Sequence, residues 1–251
     1  MKYCLIFYSP DEVILPVQYN HIMQAALFEW LEELEYTTFL HDEGYKEGTR
    51  KFKLYTFSNL YSQYQYYAAS KKIGFSGEIT FYCSFYEERS EKLIRRNVER
   101  MKPLRLGEKK LAFLKCDVIE EVYEDCIVEA VSPITIHSTV SLPDGRKRTY
   151  YYEPHDVEFS EMIRQNLIRK YKAYHGCEPE NPQFFVTCIP KENYIQAGIY
   201  YRRFVIKGWR GRFVLQGSEE LIKLALLSGL GARNSIGCGC IVQKNQFPPV
   251  G

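Results

Sequence analysis

Hydrophobic and polar positions follow two periods along this chain, and each period predicts its own kind of element. Residues 2–9 (KYCLIFYS) form a β-rich run that predicts a strand. Across residues 20–35, Ile22, Met23, Ala26, Leu27, Trp30, Leu31 and Leu34 recur at the three-to-four spacing of one buried helical face. Residues 51–61 (KFKLYTFSNLY) set Phe52, Leu54 and Thr56 against Lys53, Tyr55 and Phe57. That period of two predicts a strand with Lys53 turned away from the core. Residues 77–86 (GEITFYCSFY) read as a strand that is apolar on both faces. A second helix over 90–101 would bury Leu93, Ile94 and Val98, and a strand at 111–122 closes the set.

The same order then starts again. Residues 126–136 (CIVEAVSPITI) are strand text, with Pro133 best placed at an edge or bulge. Pro143, Asp144 and Gly145 between β-rich arms predict a hairpin turn. Residues 159–176 predict a helix with Ser160 as N-cap and Gly176 as its stop. Strands follow at 181–190 and 200–217, then a short helix over 218–229 capped by Ser218, and a last strand at 238–245. Two β-α-β-β-α-β cycles describe an α+β chain of two tandem ferredoxin-like domains, residues 1–123 and 124–251. The text from 115 to 128 holds no Gly, Ser or Pro, so the halves are expected to pack rigidly together.

Composition narrows the class. Of 251 residues, 45% are hydrophobic, 25% charged and 15% aromatic, which excludes a disordered, fibrous or low-complexity chain. Apolar runs fall short of the ~18 residues a membrane span needs, and MKYCLIFYSP turns polar too soon for a signal peptide. The eight cysteines (4, 83, 116, 126, 177, 188, 238 and 240) form no CxxC pair, and the CxC at 238 and 240 has no nearby His to complete a zinc site. They read as small buried hydrophobes in a reducing compartment, so the expected location is cytoplasmic. Thirty-three basic against 31 acidic residues leave a net charge of +2, so any anionic partner must be held by a local patch.

The segment GLGARNSIGCGCIV carries glycines at 229, 231, 237 and 239. Dinucleotide and P-loop sites run strand, loop, helix, which brings phosphate to a helix N-terminus. Here the helix comes first and would present its negative end to the loop. Two readings stay open. Bare backbone could approach a ligand closely, with Arg233, Asn234 and Ser235 donating to phosphate or base edges. Alternatively Gly229 or Gly231 ends the helix and the later glycines kink a strand.

The run 208–242 (GWRGRFVLQGSEELIKLALLSGLGARNSIGCGCIV) resembles the C-terminal signature of the CRISPR-associated endoribonucleases that cut repeat RNA into guide RNAs. These belong to the repeat-associated RNA-binding superfamily and end in a helix, two G-x-G pairs five residues apart, and a strand. YNH at 19–21, FLHDEG at 39–44, KFKLYTFS at 51–58 and VSPITI at 131–136 extend the resemblance over nearly the whole chain. It implies the same two ferredoxin-like domains. It also implies metal-independent cleavage in which the ribose 2′-OH attacks the adjacent phosphate, leaving a 2′,3′-cyclic phosphate and a 5′-OH. That chemistry needs a base, an acid and positive charge near the phosphoryl oxygens.

By the resemblance His41, in FLHDEG, is the catalytic histidine, and imidazole suits proton transfer near neutrality. Read alone, it is a solvated loop histidine beside Asp42 and Glu43. Lys53 matches the family's lysine, with Arg50 and Lys51 close enough to be mistaken for it. The family often places a Tyr on the first helix. This chain has Phe28 or Trp30 there, which leaves His41 and Lys53 alone or brings in Tyr36 or Tyr45. His21 reads as a partly buried structural residue, and His137, His155 and His175 as structural.

RNA binding needs local cations. Candidates are Arg95, Arg96, Arg100 and Lys102; Arg164, Arg169, Lys170 and Lys172; and Arg202, Arg203, Lys207, Arg210 and Arg212. The favoured patch is the hairpin Arg146, Lys147 and Arg148, followed by Tyr150–Tyr152, whose rings could stack on bases or fill a core. The K/R-G-F/Y motif of an open RNA-binding sheet is not matched; GWRGRF comes nearest. The expected partners are CRISPR repeat RNA, an RNA-guided effector complex and a second copy of the chain, with no cofactor, metal or membrane. A catalytically silent RNA-binding subunit and a small-molecule ferredoxin-like enzyme or scaffold are the competing readings.

Overall fold

The computed structural model describes residues 1–141, 144–201 and 204–244. Pro143 of the expected turn, Arg202, Arg203 and Asn245 lie outside the described residues. The N-terminal half runs β1 (Lys2–Pro16), α1 (Asn20–Leu31), α2 (Leu34–Thr38), β2 (Tyr45–Glu47), β3 (Arg50–Phe52) and β4 (Tyr55–Phe57). It continues with β5 (Tyr61–Tyr67), β6 (Lys72–Phe85), α3 (Arg89–Glu99), β7 (Leu104–Leu106) and β8 (Lys109–Ile119). The C-terminal half runs β9 (Cys126–Ala130), β10 (His137–Ser141), β11 (Lys147–Tyr151), α4 (Val157–His175), β12 (Phe184–Tyr201), β13 (Phe204–Gly217), α5 (Glu219–Ser228) and β14 (Ile241–Gln243).

The sheet order β4-β6-β1-β8 puts the second, third, first and fourth strands of a β-α-β-β-α-β unit side by side, all antiparallel. The order β12-β13-β9-β14 repeats it. The fold is therefore α+β with two ferredoxin-like domains in tandem, as the periodicity predicts. In the first, Phe7 stacks on Phe81 and meets Trp30 and Phe113 edge-on, so one face of the sheet is sealed by α1. In the second, Phe159, Ile163 and Leu167 of α4 and Leu221 and Ala225 of α5 pack on Val128, Phe213 and Leu215.

Several boundaries differ from the pattern. The helix expected over 20–35 breaks at Glu32, which adopts φ 57°, and resumes as α2. Residues 51–61 are not one strand: Leu54 takes φ 39° between β3 and β4. The register therefore slips, and Tyr55, Thr56 and Phe57 are all buried. The strand expected over 126–136 ends at Ala130. Asp156, not Ser160, begins α4, and the Ser160 hydroxyl accepts from the Val186 amide at 3.0 Å. Gly176 does stop it, at φ 75°. Tyr-rich β5 is an unforeseen strand, paired with the outer part of β6. All eight cysteines are free; five are buried, while Cys116 and Cys126 are half-buried and Cys177 is exposed. No helix among the described residues is long and apolar enough to cross a membrane.

The halves are joined by specific bonds. Lys2 is fully buried, ion-paired with Glu121, and its Nζ donates to the Ile241 carbonyl of β14 at 2.6 Å. Gln243 bonds both backbone groups of Val122, and Tyr61 Oη donates to the Val131 carbonyl at 3.1 Å.

Candidate active site

His41 sits on a π-helical turn, Phe39–Glu43, that follows α2. Leu40 is buried and anchors the turn, which leaves the neighbouring His41 side chain 60% exposed. Gly44 ends the turn at φ 64°, its amide donating to the Phe39 carbonyl at 2.8 Å. A Cβ here would lie 2.5 Å from the Phe52 carbonyl oxygen and 3.5 Å from Lys53 Cγ. The pairing of β2 with β3 thus folds Lys53 back beside the turn that carries His41. His41 Nδ1 lies 2.6 Å from Asp42 Oδ1, which holds the Asp42 carboxyl below its usual range. Lys51 Nζ donates to the Asp42 carbonyl at 2.9 Å. Burial lowers the Lys53 ammonium, against the pull of Asp42.

Phe28 of α1 faces this turn, its ring edge-on to His41 at 6.3 Å and 5.5 Å from Tyr55. Trp30 is spent on the core, Nε1 donating to the Lys102 carbonyl at 2.9 Å. Burial, with the Glu87 carboxylate nearby, pushes the Tyr36 and Tyr45 phenols up. Tyr55 has the phenol nearest the Phe28 ring, but it is buried, receiving Gln24 Nε2 at 2.9 Å and donating to the Ser235 carbonyl at 3.1 Å. His21 is exposed on α1, not partly buried.

Beside Lys53 opens a cavity of about 880 Å³ walled by both halves. Arg50, Lys51, Lys53, Arg169, Lys170 and Arg233 line it, and among the described residues no carboxylate does. Their distribution separates the basic candidates. Arg95, Arg96, Lys102, Arg164, Lys172 and Arg212 are each within ion-pair distance of an acid. Arg146 of the hairpin is likewise bound to Asp144, while Lys147 and Arg148 are exposed. Tyr150 Oη donates to Asp156 at 3.0 Å. Arg50, Lys53, Arg169 and Arg233 have no ion pair among the described residues. His137, taken as structural from the sequence, also lines the cavity. Burial, Arg233 and Arg50 push its imidazole down. His155 stacks on Tyr194, and His175 on Tyr171 at 4.1 Å, both away from this wall.

The glycine loop is spent on protein. All four glycines have positive φ and are buried. A Cβ would come within 2.3 Å of the Thr135 oxygen at Gly231, 2.6 Å of Phe57 at Gly237 and 2.0 Å of the Leu230 oxygen at Gly239. At Gly229 it would meet the Asn234 amide at 2.7 Å. Asn234 Nδ2 donates to the Leu230 and Cys238 carbonyls at 3.0 and 3.1 Å, bracing the loop. The N-terminal half clasps it through Asn20 to Ile236, Gln24 to Ser235 and Thr56 to Cys238, at 2.9, 2.6 and 2.8 Å. The close approach these glycines permit is thus to the chain itself. Arg233 is the exposed member, at φ 62°, and Ser235 is half-buried.

The fold is thus that of tandem ferredoxin-like domains, with a cavity between them that gathers cations and, among the described residues, no acid, so its field favours an anion. The C-terminal family model of CRISPR associated protein Cas6 matches residues 114–242, just over half the chain, and the chain belongs to that family. The CRISPR-associated endoribonuclease Cas6 1 of Methanocaldococcus jannaschii is 26% identical over 256 residues, spanning 98% of this chain and 95% of that protein. The endoribonuclease-like protein Cas6nc of Pyrococcus horikoshii is 25% identical over 237 residues, 92% of this chain and 94% of that one. A solved Cas6-related protein from Pyrococcus furiosus shares the fold at a TM-score of 0.80, with 19% identity, covering 98% and 99% of the two chains.

Proposed function

We propose that this chain is an endoribonuclease that cuts CRISPR precursor RNA within its repeats by 2′-OH attack, without a metal ion. The observation that carries the reading is His41, exposed and beside Lys53, at the rim of a cavity lined by unpaired cations. The N-terminal domain, residues 1–123, supplies both side chains; the C-terminal domain, 124–251, supplies Arg169 and Arg233.

With Nδ1–H donating to Asp42, the neutral ring keeps its lone pair on Nε2. Nε2 takes the proton of the 2′-OH as that oxygen bonds to phosphorus. The phosphorus–O5′ bond breaks, leaving the 2′,3′-cyclic phosphate. Asp42 steadies the imidazolium so formed, and the proton goes to the departing 5′-oxygen. Lys53 sets a point cation against the phosphoryl oxygens as charge grows there. In this reading Lys53 supplies the positive charge beside His41, and the cavity's arginines extend it along the RNA, with no carboxylate among the described lining residues.

The product RNA would stay with the protein for transfer to an RNA-guided effector complex, and a homodimer is compatible with this role. Phe28, where a phenol would serve the leaving group, favours a second reading: a repeat-RNA-binding subunit that does not cut. Incubation of labelled CRISPR repeats with saturating protein in EDTA decides between them. The proposal expects fragments ending in cyclic phosphate, lost in His41→Ala while binding persists. Tight binding without fragments gives the second reading.

A further inference from the structure

Asn166 and Lys170 stand one turn apart on the same face of α4 and form, with His137, the wall of the cavity on the C-terminal side. Lys170 is 3% exposed and Asn166 9%. Of the three ammonium donors on Lys170, one is used, on the Gly229 carbonyl at 2.6 Å. Asn166 Oδ1 and His137 Nδ1 are buried with no hydrogen-bond partner among the described residues. Buried polar groups are nearly always paired, so three incompletely paired groups on one wall mark a place where a ligand completes them. A buried lysine with no acid beside it is the costlier anomaly, since its charge is lost unless an anion arrives.

We propose that Lys170, Asn166 and His137 seat one unpaired nucleotide of the RNA, its phosphodiester on Lys170 and its sugar or base edge on Asn166. This rests on the proposed RNA function and deepens it, because His41 does not line the cavity and the seated phosphate is a different one from the phosphate cut. The charged and imidazole groups that line the cavity with Lys170 are Arg50, Lys51, Lys53, Arg169, Arg233 and His137, all cationic or neutral. A cavity of about 880 Å³ has room for an unpaired nucleotide. Burial pushes the Lys170 ammonium down to about 7, so near pH 8 it is mostly neutral in the free protein. A phosphate beside it restores the charge, so binding takes up a proton.

The test uses the full chain carrying His41→Ala, which leaves the RNA whole, with a labelled CRISPR repeat and a uridine oligonucleotide as probes. Lys170→Met should lower affinity roughly tenfold or more and flatten the plot of log affinity against log salt by about 0.7. It should also remove most of the proton uptake seen when binding heats are compared in buffers of different ionisation enthalpy at pH 8. Asn166→Leu should weaken binding without altering the salt slope, and it carries the test should Lys170→Met fail to fold. Unchanged slope and unchanged proton uptake in Lys170→Met overturn the seat while leaving the RNA function standing. Absence of salt-sensitive RNA binding by the parent protein overturns both.

Discussion

Replacing Lys2 by Met tests how the two halves are held in register. The Lys2 and Glu121 side chains are 0% and 1% exposed, and the same ammonium bonds the Ile241 carbonyl. Removing one partner of a buried pair strands the other charge, which costs about 3–5 kcal/mol. Lys2→Met therefore leaves Glu121 unpaired, and Glu121→Leu leaves Lys2 with one carbonyl. Combining the two removes both charges and orphans only the Ile241 carbonyl, worth about 1–3 kcal/mol. At roughly 2–4 °C per kcal/mol for a chain of this size, either single variant should melt roughly 6–20 °C below the parent. The double variant should recover about half of that. Calorimetric melting of the four proteins closes the cycle. Singles that lose less than about 1 kcal/mol, or a double no better than its singles, would refute the view that this pair is desolvated and coupled.

Other expectations follow from the same structure. His41→Ala should slow single-turnover cleavage at saturating RNA by about 10²–10⁴-fold, with filter binding unchanged. Gly239→Ala must find room for a methyl 2.0 Å from the Leu230 oxygen at φ 70°, so it should abolish cooperative melting by circular dichroism. Gly145→Ala, at φ 78° with nothing within 4 Å, should cost only about 1–2 kcal/mol. Lys170 has its folded pKa depressed to about 7, so the unfolded chain holds more protons above that pH, and this group adds stability from pH 7 to 8.5. The Cys238 and Cys240 thiols, which burial pushes up to about 12, subtract from it as the unfolded thiols ionise, and the N-terminal ammonium, lowered by burial, adds to it. The Lys170 part is therefore the difference, parent minus Lys170→Met, which should widen from pH 7 to 8.5 in thermal melts.

The tandem fold could be read from the chain because both halves repeat one order of periods, and strand 2–9 and helix 218–229 carry strong local signals. The errors arise where tertiary packing overrides pattern. Leu54 looks like an inward strand residue, yet its positive φ ends one strand and begins another, and no periodicity reports a dihedral. Strand β5 escaped notice because its tyrosines and glutamines alternate weakly and depend on β6 for pairing. His41 and Lys53 were nominated by the family resemblance rather than by any local pattern, and the β2–β3 pairing sets Lys53 beside the turn that carries His41. The cavity was not. Its cations come from positions 50 to 233, and what distinguishes them from Arg95 or Arg164 is that, among the described residues, no carboxylate lies within ion-pair distance of them, which sequence cannot display. His137 looked idle for the same reason.

The clasp around the glycine loop has a consequence for synthesis. Residues Asn20, Gln24, Tyr55 and Thr56 leave the ribosome long before their acceptors at 235–238 are made. Until then the first domain waits with open donors, and the cavity lacks its Arg233 wall. A nascent chain that stops short of residue 238 therefore has neither the full clasp nor a complete cavity, so under the function proposed above the RNA site is finished only after nearly the whole chain has been made.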